Sequence, residues 1–163
     1  MRFIIFLIGL LSFAGAQAQV QGDCGTELDS ATFARLSSTI AVRTAMVGQS
    51  RTTIEVPVQH FVFRSSGGSG GLSSANIQDA MDDLNAHYLP VGIQFYECSA
   101  VRFVNSSTFY NYSQSQQSQL LANYYVNNVL NIYHFNTVTS SGGSGLCGYS
   151  DFPPGPDIVM MAG

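Results

Sequence analysis

Lysine is absent from this chain of 163 residues, and charge of either sign is scarce: six arginines and ten acids make up only 10 % of the sequence. Without lysine there is no Gly-Lys-Ser/Thr phosphate-binding loop, so the run Ser65-Ser66-Gly67-Gly68-Ser69-Gly70-Gly71 reads as a flexible connection. Without basic patches, nucleic acids and anionic membrane surfaces are excluded as partners. The sequence has no H-E-x-x-H and no C-x-x-C, and its three histidines, His60, His87 and His134, are not spaced as metal ligands on a helix. Lone histidines in apolar strands are usually packed rather than liganding, and His60 and His134 are read that way, with His87 at a helix end. Serine is too common for a Ser/His/Asp triad to be singled out. The adjacent pair Asp82-Asp83 reads as a solvated helix face. No apolar run approaches the roughly 20 residues of a membrane span.

What is present begins with an address. Met1-Arg2 is a short positive start, residues 3–13 are apolar, and Ala16-Gln17-Ala18 is a small-residue cleavage site. This is the secretory pattern, so residues 1–18 are expected to be removed and the mature chain to begin at Gln19. Removing Arg2 leaves five arginines against ten acids, a formal charge of 5 − 10 = −5. The remaining length is enough for one domain with its own core. Three cysteines, Cys24, Cys98 and Cys147, are an odd number for an exported chain, so one thiol is free or pairs elsewhere.

Residues 19–50 form a lead-in of mixed polarity with a helical piece over 30–44. Residues 53–64 read as a strand: Ile54, Val56 and Val58 alternate with polar neighbours, and Phe61-Val62-Phe63 is apolar on both faces. Residues 74–88 are the clearest helix, with Ile77, Ala80, Met81, Leu84 and Tyr88 on one stripe, a serine cap and Pro90 at the end. Strands follow over 91–98 (extended by 101–104), 129–135 and from 156. Residues 105–119 are polar and lead into a short helix over 117–126, and residues 137–148 read as a Gly/Ser loop. A strand-helix-strand start implies parallel pairing with a right-handed crossover, hence an α/β (α+β) domain built on a small mixed sheet covered by helices.

Certain segments carry a resemblance. Cys24-Gly25-Thr26, then Val56-Pro57-Val58-Gln59-His60-Phe61-Val62-Phe63, is similar to the opening of the pappalysin/cytophagalysin family of metzincin zinc peptidases. Residues 76–85 look like that family's backing helix, and Val91-Gly92-Ile93-Gln94-Phe95 like its next strand. Leu130-Asn131-Ile132-Tyr133 resembles its L-N-I-Y strand. Cys147-Gly148-Tyr149-Ser150-Asp151-Phe152-Pro153-Pro154, followed by Asp157-Ile158-Val159-Met160, resembles the segment before its catalytic helix. The motifs run in order from Cys24 to Met161.

The resemblance implies a metzincin-like upper subdomain: a mostly parallel twisted sheet with a backing helix, incomplete at the C-terminus. It divides the chain into a signal peptide (1–18), a pro-segment (19–50) and the N-terminal half of a catalytic domain (51–163). The family's H-E-x-x-H-x-x-G-x-x-H helix would come next. Its histidines bind zinc and its glutamate is the general base. None of these residues is in this sequence, so zinc ligands are expected downstream, calcium is a further candidate cofactor, and the chain alone is expected to be inactive. The partner would be a peptide or protein substrate. It would add by its backbone to an edge strand within residues 145–152, at Gly145, Leu146, Cys147, Gly148 and Tyr149; the alternative is a mobile Gly/Ser loop. Cys24 is expected as a latency ligand, or Asp23 through oxygen, against an unpaired or disulfide-bonded Cys24. A Cys98–Cys147 disulfide is expected to pin the edge-strand loop. Competing functions are a secreted non-catalytic binding or adhesion module, and an inhibitor-like pro-domain.

Overall fold

In a computed structural model of the protein, residues 52–151 and 153–163 are described, together with Asp23, Cys24, Ser30, Ala31, Ala34, Arg35 and Ser37. The expected signal peptide lies outside the described residues. Of the lead-in helix, Ser30, Ala31, Ala34, Arg35 and Ser37 are helical.

Among the described residues, a mixed, mostly parallel sheet of nine strands forms the body. In chain order the strands are β1 (Asp23–Cys24), β2 (Ile54–Arg64), β3 (Ile93–Glu97), β4 (Arg102–Asn105), β5 (Asn111–Ser113), β6 (Leu130–Phe135), β7 (Thr137–Thr139), β8 (Gly145–Ser150) and β9 (Ile158–Ala162). Helix α1 (Ser74–Tyr88) joins β2 to β3; α2 (Ser107–Tyr110) and α3 (Gln117–Tyr124) lie between β4 and β6. The order across the sheet is β3-β2-β6-β9-β8-β7-β5. β2 runs parallel to β3, β4 and β6, and β6 parallel to β9; β8 runs antiparallel to both β9 and β7.

Alternation along β2 gives the sheet two apolar faces, which is why Phe61-Val62-Phe63 has no polar phase. Val58 and Val62 face α1 and pack with Ile77, Met81 and Ile132. Phe61 and Phe63 face the other way, into an aromatic layer with Tyr133, Phe135, Tyr112 and Phe109. The rings stack in register: Phe63 on Phe135 at 5.1 Å, Phe61 on Tyr133 at 5.1 Å, Tyr112 on Phe135 at 4.3 Å. The L-N-I-Y segment is explained by the same alternation. Ile132 faces α1 and Tyr133 the aromatic layer, while Asn131, fully buried, organises the preceding turn. Its side chain accepts from the Val126 amide (3.0 Å) and donates to the Val126 (2.9 Å) and Val129 (3.0 Å) carbonyls. Asn131→Ala is therefore expected to lower stability by about 2 kcal/mol, because it strands buried backbone groups; the urea midpoint measures it.

Helix α1 starts where a serine cap was expected. Ser73 accepts from the Asn76 amide (3.2 Å), and Asn76 accepts in return from the Ser73 amide (3.1 Å). Ser73→Ala should cost about 1 kcal/mol, read from the thermal midpoint. The helix ends in a 3₁₀ turn, Leu89–Val91, closed by Gly92 at φ 82°. That left-handed residue explains why β3 begins at Ile93 rather than at Val91.

Two expectations are corrected. Residues 137–148 are not a loop: they contain β7 and the start of β8, a hairpin around Gly143 at φ 87°, where the backbone is held by Ser140 and Ser144. Within the polar stretch 105–119 lie α2 and β5, tied to the core by buried Phe109 and Tyr112. No helix among the described residues is long and apolar enough to cross a membrane.

Candidate functional site

Among the described residues, β8 is the one strand of the main sheet whose pairing is shared with the lead-in. Leu146 is in register with Val138 of β7 and with Asp23 of β1; Gly148 is in register with Met161 of β9 and with Cys24 of β1. A strand has two lateral edges, so a residue paired twice has its partners on opposite sides. β7 and β9 therefore share one side of β8, and β1 takes the other. The lead-in touches this region a second time, where the Arg35 guanidinium donates to the Pro153 carbonyl at 2.7 Å.

The sequence of β8 suits an edge that accepts a second backbone. At Gly148 a Cβ would collide with the Met160 carbonyl, so only glycine lets β9 approach this closely. At Gly145 a Cβ would meet open space. Tyr149 holds the strand from within. It is buried in the aromatic layer, and its hydroxyl donates to Gln117 Oε1 (2.9 Å) while bonding to the Tyr112 hydroxyl (2.7 Å). With its one proton committed to Gln117, Tyr149 receives the proton of Tyr112. Gln117 in turn donates to Asp151 Oδ2 at 2.8 Å. Burial raises both tyrosine hydroxyls above their ordinary range, with Tyr112 and Asp151 adding to the effect at Tyr149, so both stay neutral donors. Tyr149→Phe is expected to cost about 2 kcal/mol by leaving Tyr112 and Gln117 without their shared partner, measurable as a lower denaturation midpoint.

The expected Cys98–Cys147 disulfide is not formed: both cysteines are free and exposed. Cys98 follows β3, and four inter-strand spacings separate β3 from β8. At about 4.8 Å each, this is about 19 Å, far beyond the roughly 7 Å limit for bridging Cα atoms.

The histidines hold a surprise. His60 on β2 and His134 on β6 are not isolated: they stack at 5.4 Å between ring centroids and share a hydrogen bond, Nδ1 to Nε2, of 3.1 Å. Both are buried, and His60 Nε2 has no partner among the described residues. Burial lowers each to about pKa 4, and for His134 the neighbouring His60 adds to the effect. They border an apolar cavity of about 380 Å³ between α1 and strands β6 and β9, lined by Leu72, Ile77, Met81, Leu84, Ile132 and Val159 among others. Part of the apolar stripe read from the sequence faces this space: Tyr88 is 43 % exposed. The pairing was missed because it depends on register. Val62 stands opposite His134 and His60 opposite Ile132, which puts the two rings on one face, diagonal to each other. His87 is exposed at the end of α1 and bonds the Asp83 carbonyl (2.8 Å); Asp82 is exposed and accepts from Gln78.

These residues do not fit zinc. One nitrogen of each histidine is bonded to the other ring, and among the described residues no three His, Cys, Asp or Glu side chains come together as a metal site. A zinc ion would need ligands from elsewhere, and no hydrolytic step is assigned to this chain's side chains. No family model matches the sequence, and no curated protein matches it either.

Proposed function

We propose that this chain is the upper part of the catalytic domain of a secreted zinc-dependent metalloendopeptidase, with β8 as the strand along which the substrate backbone lies. The observation that carries this reading is the β1–β8 pairing. An extended segment is already seated on the free edge of β8, in the manner of a peptide added to a sheet. The pro-segment of such an enzyme would occupy that edge and bring Asp23 and Cys24, the two residues read as latency ligands, to it. The backing helix, the mixed sheet and the order of motifs from Cys24 to Met161 agree with the same reading. It also gives the apolar cavity a purpose. A helix following β9 would bury Leu84, Ile132 and Val159, and such a helix is where the zinc ligands and general base are expected.

The reading is tested on the coding sequence and the protein it specifies. An H-E-x-x-H shortly downstream of Gly163, with casein hydrolysis by the complete protein that a chelator abolishes and zinc restores, is the expected result. A complete protein without that motif and without chelator-sensitive hydrolysis would leave β8 as the edge of a binding module instead.

A further inference from the structure

We infer that Cys24 and Cys147 form a disulfide that ties the lead-in to the edge strand, leaving Cys98 as the odd thiol. The argument starts from the register. Between Asp23 and Cys24 the chain advances one residue, while the partner on β8 advances two, from Leu146 to Gly148. Cys147 is therefore the extra residue of a bulge.

The packing of β8 shows the same break. Leu146 and Tyr149 both join the aromatic layer, although residues three apart in a regular strand face opposite ways. With both of these on the aromatic side, Cys147 and Gly148 are left together on the opposite face. Gly148 is in register with Met161 and Ser150 with Val159, and Val159 is packed in the α1-side cluster, so that face is the α1 side of the sheet. Residues in register share a face, so the position of Cys24, opposite Gly148, is on the face of Cys147. One inter-strand spacing of about 4.8 Å combined with at most one residue of rise, about 3.3 Å, puts the two Cα atoms about 5–6 Å apart. That lies within the roughly 4.4–6.8 Å that a disulfide spans. In a regular ladder the neighbouring residue would point to the far side of the sheet; the bulge is what brings Cys147 round. Cys147 is also exposed, so an oxidant can reach it.

The oxidant is a small disulfide such as oxidised glutathione. The Cys147 thiolate attacks one of its sulfurs and releases one glutathione thiolate. The Cys24 thiolate then attacks the Cys147 sulfur and expels the second. Two protein thiols are oxidised, one glutathione disulfide becomes two glutathione thiols, and the cysteine protons pass through solvent to the leaving thiolates. A sulfur held in this bond is not a zinc ligand. In the oxidised chain Asp23 is the residue of β1 left for that role, so the state of the pair decides which of the two expected latency ligands is available. The inference shares the β1–β8 pairing with the proposed function but requires no metal. Absence of the bond would leave the peptidase reading standing, and absence of hydrolysis would leave the bond standing.

Because every basic residue is an arginine, trypsin places the three cysteines in three peptides: Cys24 in the one ending at Arg35, Cys98 in 65–102 and Cys147 in 103–163. The full chain is equilibrated with glutathione disulfide, free thiols are alkylated, and the digest is analysed by mass spectrometry without reduction. The expected result is a linked pair joining the Arg35 peptide to 103–163 within a monomer, alkylated Cys98, and retention of the link in Cys98→Ser. Alkylation of both Cys24 and Cys147, a link involving Cys98, or a disulfide-linked dimer would each overturn the inference.

Discussion

Lowering the pH from 7 to about 4 should destabilise the fold by about 3 kcal/mol for each of His60 and His134. Both are buried neutral in the folded chain at about pKa 4, against about 6.5 in an unfolded chain. The sign follows from that order. Above 6.5 neither state binds the proton and the stability is whole. Between 6.5 and 4 the unfolded chain takes up protons that the folded chain refuses, so stability falls throughout that window. The pair shares one hydrogen bond between neutral rings, which a proton on both would replace with two like charges in contact. For a domain of ordinary stability, 5–15 kcal/mol, the combined loss is a large share. Thermal midpoints at pH 7 and 4.5 should differ strongly. In the double variant His60→Leu, His134→Leu much of that difference should vanish. An unchanged slope in the variant would mean that the rings are solvated and not the source.

Gly148→Ala should cost about 2–3 kcal/mol, although it adds a single methyl group to an edge strand. The methyl has nowhere to go, because the Met160 carbonyl occupies its place. Relief requires β8 to draw away from β9, and with it the strand on which β1 is seated. Gly145→Ala is the control: its Cβ enters open space, and the change should lie within about 0.5 kcal/mol of neutral. Denaturant midpoints of the two variants test the pair together. Equal small effects would show that β8 is not clamped to β9 at Gly148.

The elements that came through in the sequence are those whose burial is one-sided or complete. Helix α1 was legible from Ile77, Met81 and Leu84, and β2 and β6 from their two-faced apolar runs, since side-chain period and burial are local properties. The β7–β8 hairpin was not legible by period. Its glycines and serines carry no hydrophobic pattern, and of its two deeply buried anchors, Val138 and Tyr149, the second stands out of phase with Leu146 because of the bulge. Only the resemblance placed an edge strand there. The polar stretch before α3 hid Phe109 and Tyr112, aromatics set among Ser, Asn and Gln whose partners, Phe63 and Phe135, lie far off in the chain.

The site residues divide the same way. The proximity of Cys24 and Cys147, the distance between Cys98 and Cys147, and the contact of His60 with His134 all follow from which strands are neighbours and in what register. Strand order is a non-local property, and no spacing along the chain encodes it. The odd cysteine count left open which thiols pair.

Hydrogen exchange at Leu146, Cys147 and Gly148 tests most directly whether β8 is an edge that receives an extended peptide. In the full chain those of these amides that point toward β1 should be protected. In Asp23→Pro, where proline weakens the pairing of β1, they should exchange at least tenfold faster, and a synthetic peptide covering residues 20–27 should restore protection. Equal exchange in the two proteins, with no response to the peptide, would contradict the account.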